Sequence, residues 1–234
     1  MGIAYNTSIV TDSLIFGIDA ANSRSYSGSG IIVNDLVGGI GGTLVNGVGF
    51  TSSNNGLFSF DGTNDYINNT TDVLDIGTSN FSVSVWFKTI ATQTQSLIAN
   101  QVSNGWNGFN FGINSSGYIT PTVDWGNSQQ YGALQSATAY NDNVWREATF
   151  VMNGATVSNW KLYINGEPVN APLEGGSVST ISGSGIGNNV NLTVGTRTFG
   201  SYFSGQIGVT KIYNKALSSA EVKQNYNATK KRYL

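Results

Sequence analysis

The alternation of apolar and polar residues repeats along most of this chain. In FSVSVWFK, Phe81, Val83, Val85 and Phe87 share one side while Ser82, Ser84, Trp86 and Lys88 share the other. Period two is the mark of a strand with one buried face. GFNFGI repeats it with Phe109, Phe111 and Ile113, and NSSG then turns the chain into Tyr118 and Ile119. In WREATFVM, Trp145, Glu147, Thr149 and Val151 oppose Arg146, Ala148, Phe150 and Met152. WKLYI follows, and Asn165–Gly166 supplies a two-residue hairpin turn, because both positions tolerate positive φ. LTVG and GQIGVTKIY close the series. Strands of this length, separated by Gly, Asn and Ser turns, predict an all-β sandwich or jelly roll. No linker or fixed-period repeat interrupts it, so the expectation is a single domain over residues 1–234. The Gly/Ser-rich stretch 174–189 reads as a long surface loop. One helix stands out in NKALSSAEVKQNYN: Ser218 and Glu221 form a capping box, Leu217 and Val222 a hydrophobic staple, and Val222 and Tyr226 share one face.

Composition narrows the chemistry. Only 10% of the 234 residues are charged, against roughly 25% in an ordinary domain; Gly, Asn, Ser and Thr carry the polarity instead. Hydrophobic residues at 39% and aromatics at 12% supply a core that disordered chains lack. With neither Cys nor His, thiolate sites, disulfides, His-based triads and His-ligated metals are excluded. Any metal is then a hard cation on oxygen ligands, which points to calcium. The net charge of -2 gives a nucleic-acid partner no global support, and no apolar run reaches membrane-spanning length. The charge is divided unevenly: residues 1–145 hold nine Asp against Arg24 and Lys88, while residues 146–234 hold nine Lys and Arg against four Glu. The basic residues Lys230, Lys231 and Arg232 at the end of the chain read as a solvated tail, with docking on an acidic partner the alternative. MGIAYNTSIVTDSLIFGIDA has neither the basic nor the long apolar region of a secretory signal. That weakens glycosylation at sequons such as Asn68, Asn69, Asn114, Asn191 and Asn227.

Taken in order, FGIDAANSRSYSGSG, NDLVGGIGGTLVNGVGF, FSFDGTNDYI, NFSVSVWFK, WREATFV, WKLYINGE, LTVG and GQIGVTKIYNKALSSAEVKQNYNATKKRY resemble the laminin-G-like branch of the concanavalin A-like lectin/glucanase superfamily. The resemblance implies a two-sheet antiparallel jelly-roll sandwich with one short C-terminal helix. DAANSRSYSGSG and the closing KIYNKALSSAEVKQNYNATKKRY are similar to copies in tailed-phage structural proteins. Two positions depart from the family pattern. Gly208 stands where relatives often carry an acid in the strand before the helix, and Trp145–Arg146–Glu147–Ala148 replaces the usual W-H-H-V. An ion site using position 208 is therefore in doubt.

The resemblance places Asp61 at the end of one strand and Asp65 at the start of the next. The two carboxylates either turn the chain, bonding nearby amides, or hold calcium with oxygens from distant loops, since calcium takes six to eight. The family's retaining glycosidases carry E-x-D-x-x-E on one strand; none of Glu147, Glu167, Glu174 and Glu221 begins that pattern, so no enzyme activity is expected. Trp106, Trp125 and Tyr131 lie in Gly/Asn/Gln-rich surroundings where rings stack on sugars and amides bond hydroxyls; the alternative is that they cover the edge of the core. Two functions follow. The leading expectation is a non-enzymatic virion component, a capsid decoration or tail-associated protein at the virion surface, whose partners are other virion proteins. Sparse charge lowers the desolvation cost of such contacts, and homo-oligomerisation suits the role. The alternative is a lectin-like module recognising host or matrix glycans.

Overall fold

The structure, a computed structural model, describes residues 8–38, 41–69, 76–101, 107–126, 130–186, 191–197 and 200–234. In chain order the strands are β1 (Leu14–Ile18), β2 (Ile32–Asn34), β3 (Gly41–Val45), β4 (Gly49–Thr51), β5 (Leu57–Asp61), β6 (Tyr66–Asn69), β7 (Phe81–Lys88) and β8 (Gln95–Gln101). The second half adds β9 (Gly108–Ile113), β10 (Ile119–Asp124), β11 (Tyr131–Ala133), β12 (Arg146–Met152), β13 (Lys161–Ile164), β14 (Glu167–Pro168), β15 (Leu192–Val194) and β16 (Ser204–Tyr213), then the helix α1 (Ser219–Thr229). Every described pairing is antiparallel. The strands form two sheets, one ordered β14-β13-β12-β7-β16-β5-β4 with β1 also on β16, the other β11-β10-β9-β8-β15-β6-β3-β2. This is the sandwich that the alternation predicts.

The core lies between the sheets. Phe81, Val83, Val85 and Phe87 of β7, Ala148, Phe150 and Met152 of β12, and Phe109, Phe111 and Ile113 of β9 all belong to it. The Asn165–Gly166 turn has φ of 54° and 74°, the left-handed pair that matches the twist of a hairpin. The stretch 174–189 departs from the expected surface loop. Ile181 and Ile186 are buried in the core and bridges tie Thr156 to Thr180 and Gly77 to Ile186, because two isoleucines among glycines and serines are apolar enough to pull the segment inward. Residues 187–189 of that stretch lie outside the described residues.

The first sheet has a covered outer face. Val151, Tyr163 and Tyr213 pack with Val10, Leu217 and Val222, while Trp86, Trp145 and Val209 pack with Leu57, Tyr226 and Tyr233. Helix α1, its C-terminal extension and the N-terminal arm therefore seal this face. The helix starts with the capping box foreseen: the Glu221 N–H donates to Ser218 Oγ, and the Ser218 N–H donates to the Glu221 carboxylate. Ser218→Ala is expected to lower stability by about 1 kcal/mol, measured as a urea-unfolding midpoint. Gly208, the departure from the family's acid, has a packing reason. A Cβ there would run into the Tyr233 ring, whose hydroxyl accepts the Val209 N–H at 3.0 Å. Among the described residues no helix is long and apolar enough to cross a membrane.

Candidate ligand-binding face

The outer face of the second sheet is partly accessible, with Ala99 and Ala133 buried on it. The inward positions of the sheet, among them Val33, Leu44, Ile67, Val194, Ile98 and Val123, belong to the core, so the alternate residues face outward. Strand register aligns these across the sheet: Ile32 opposite Thr43, Thr43 opposite Asn68, Asn68 opposite Thr193, and Thr193 opposite Ala99. Ala99 then faces Asn110, Asn110 faces Thr122, and Thr122 faces Ala133. Thr43, Asn68, Thr193, Asn110 and Thr122 are all half-buried. From Thr43 to Thr122 the row crosses six strands, about 24 Å at the usual strand spacing of about 4.8 Å. No residue in it is ionisable. The polar atoms are held in place: Ser96 Oγ donates to Asn110 Oδ1 at 2.6 Å, and Thr193 Oγ1 donates to the Thr196 carbonyl at 2.7 Å. Gly112 leaves room for the Asn110 amide, since a Cβ there would stand 2.9 Å from Nδ2. The row ends at Ala133, whose carbonyl accepts the Glu174 N–H at 2.9 Å.

The next row along the strands gathers Gln101, Gly108, Asp124 and Tyr131. Asp124 Oδ1 accepts the Gly126 N–H at 2.7 Å, closing the turn. Tyr131 is half-buried; burial, with Glu174 beside it, holds its hydroxyl above the usual phenol range. Trp125 occupies the other position foreseen for it. It is 6% exposed and belongs to the core, so packing takes its ring faces and it cannot stack on a sugar. Its Nε1–H has no hydrogen-bond partner among the described residues. Trp106 lies outside the described residues. Of the three aromatics named from sequence, only Tyr131 is placed on the outer face.

Asp61 and Asp65 form a self-contained turn. Asp61 Oδ1 accepts the N–H groups of Thr63 at 2.7 Å and Asn64 at 3.4 Å, and the Asp61 N–H donates to Asp65 Oδ2 at 3.1 Å. Backbone amides therefore hold Asp61's carboxyl below its usual range. Asp65 is buried, with Oδ1 unpartnered among the described residues, and desolvation pushes its pKa up. Amide donors already engage an oxygen of each carboxylate, and no group of three or more acidic or soft ligands forms among the described residues. The raised pKa has a pH consequence. Protonated Asp65 contributes stability that is complete below the unfolded value near 3.8 and lost as pH rises through its folded pKa. Asp65→Asn is therefore expected to gain on the wild type from pH 3.5 to pH 7, read as the difference between their urea midpoints at the two pH values.

The four Glu also have structural partners. Glu147 is fully buried against Lys211 and Ser84, Glu167 pairs with Lys223, Glu174 lies against Tyr131, and Glu221 caps α1.

Residues 61–223 match a laminin-G family model described as the concanavalin A-like lectin/glucanases superfamily. No curated protein sequence matches. Several solved structures share the fold. The binding domain of Paraclostridial mosquitocidal protein 1 aligns at TM-score 0.67 and 18% identity, over 92% of this chain and 52% of that one. Trypanosoma rangeli sialidase in complex with the inhibitor DANA aligns at 0.69 and 10%, over 97% and 34%. Domain 4 of an extracellular arabinanase from Geobacillus stearothermophilus, in complex with arabinotriose, aligns at 0.61 and 15%, over 92% and 98%. The chain thus spans about half and a third of the first two, and the whole of the third is about its own size.

Proposed function

The chain belongs to the concanavalin A-like lectin/glucanase superfamily, and on that premise we propose that it is a non-enzymatic glycan-binding module whose ligand lies across the outer face of the second sheet. The observation that carries this reading is the row Thr43, Asn68, Thr193, Asn110 and Thr122. Hydroxyls and carboxamides both donate and accept, as sugar hydroxyls do. An uncharged, shallow row suits a neutral glycan, bound by many weak hydrogen bonds rather than by one deep pocket. The structure of the arabinanase domain with arabinotriose supports the reading by analogy of fold. So do the structural partners of all four Glu. A glycan array should yield hits. Asn110→Ala should weaken them about fivefold to tenfold, the worth of one neutral hydrogen bond, while EDTA leaves them unchanged. An empty array, or hits indifferent to Asn110→Ala, contradicts the proposal.

A second reading, attachment to a virion, rests on a different surface. Ile31 and Ile32 are 59% and 54% exposed, and Phe50 is 37% exposed. They lie beside or on β2 and β4, the terminal strands of the two sheets on one side of the sandwich. Apolar edge strands are where other chains add. Docking there, onto virion proteins or a second copy, leaves the polar face free to display. Co-purification with particles, lost on Ile32→Lys, is the expected result; absence from purified particles removes this reading without touching the first.

A further inference from the structure

The basic run Lys230–Arg232, which the sequence reads as a solvated tail, instead folds back on the first sheet. Tyr233 is buried and stacks on Trp86, which draws the basic residues before it onto an aromatic cluster. Trp145 packs on Tyr233 with ring centres 4.8 Å apart, and Tyr226 stacks on Trp86. Cations stand over these rings. Lys88 Nζ lies 5.6 Å from the Trp145 ring centre, Lys230 Nζ 5.3 Å from that of Tyr226, and the Arg232 guanidinium 5.0 Å from that of Tyr233. Each lies within the roughly 6 Å over which a ring attracts a cation.

The acids nearby are already taken: Glu167 pairs with Lys223, Asp19 with Arg232 and Asp142 with Arg146. Among the described residues no carboxylate pairs with Lys88, Lys230 or the exposed Lys231. A ring holds an ammonium without neutralising it, so the positive charge around the cluster stays uncancelled. Two apolar side chains flank it. Ile90, two residues after Lys88, is 69% exposed, and Val144, just before Trp145, is 44% exposed. The Asn143 N–H donates to the Thr89 carbonyl at 3.0 Å, which holds their two loops together. Charge alone would suit any polyanion. Exposed isoleucine and valine beside it favour a protein, whose surface offers carboxylates and apolar side chains together.

We propose that this surface docks an acidic segment of another protein, its carboxylates on Lys88 and Lys230 and its apolar side chains on Ile90 and Val144. The surface belongs to the first sheet and is separate from the polar row of the second. Fluorescence anisotropy with a labelled short peptide of alternating Glu and Leu tests it, with a Gln–Leu peptide and heparin for comparison. The Glu–Leu peptide should bind saturably and more weakly as salt rises, because salt screens exposed charges; the Gln–Leu peptide should not bind. Lys88→Gln and Lys230→Gln should each weaken the Glu–Leu peptide about threefold, and together about tenfold. Ile90→Ser, at an exposed position that leaves the fold intact, should weaken it about fivefold. Lys161→Gln removes the same charge beside Val151, at the far end of β12 from Trp145, and should leave the affinity unchanged. Absence of saturable Glu–Leu binding, binding of heparin alone, or equal losses from Lys161→Gln and Lys88→Gln overturns the proposal.

Discussion

Trp86→Ala is expected to lower folding stability by about 4 kcal/mol, which for a chain of this size lowers the melting midpoint by about 8 to 16 °C. Trp86 points away from the main core, yet it is fully buried. The Tyr233 ring stacks on it at 4.1 Å and 14°, and the Tyr226 ring at 5.8 Å and 17°. Its Nε1–H donates to Thr229 Oγ1 at 2.9 Å. One side chain thus fastens the helix and the segment after it to the first sheet. Removing the indole leaves a cavity between two tyrosines. Trp86→Phe keeps a ring in the stack and loses the N–H, so a smaller loss of about 1 to 2 kcal/mol is expected. Urea unfolding followed by circular dichroism measures both. An alanine variant within about 1 kcal/mol of the wild type would mean that the helix is not held by this stack.

A second large effect concerns the ion pair on the same face. Lys211 Nζ lies 3.2 Å from Glu147 Oε1, with side chains 2% and 0% exposed. Ser84 Oγ donates to the same oxygen at 2.9 Å, and Glu147 Oε2 has no partner among the described residues. Removing one partner leaves a buried charge uncompensated, so Lys211→Ala is expected to cost about 3 to 5 kcal/mol. Replacing the whole cluster by apolar groups removes that penalty. The triple variant Ser84→Ala, Glu147→Leu, Lys211→Met should therefore match or exceed the wild type. The comparison of single and triple variants is informative because the costs are strongly non-additive. Additive losses would contradict the assignment.

Local pattern carried much of the fold. The alternation in FSVSVWFK and WREATFVM assigned each side chain to a face, the Asn165–Gly166 pair marked its turn, and S-x-x-E marked the start of α1. Alternation says which residues share a face but not what covers it. Ser84, Trp86 and Glu147 therefore read as the face opposite the core, and only tertiary packing reveals a second apolar layer there. Trp125 shows the same gap. Its polar neighbours suggest a surface ring, but its place at the end of β10 turns it into the core. The polar row was not legible either. Thr193 sits between Asn68 and Ala99, and pairing between strands so far apart in sequence leaves no local signal. The turn reading of Asp61 and Asp65 needed only residues four apart, and its hydrogen bonds are those the sequence suggests.

The most direct test of the outer-face account is nuclear magnetic resonance mapping with a glycan that binds. The side-chain amide resonances of Asn68 and Asn110, and the backbone amides of Thr43, Thr193 and Thr122, should shift together with one affinity while those of α1 stay in place. Shifts confined to α1 or to the β2–β4 edge would place the ligand elsewhere and contradict it.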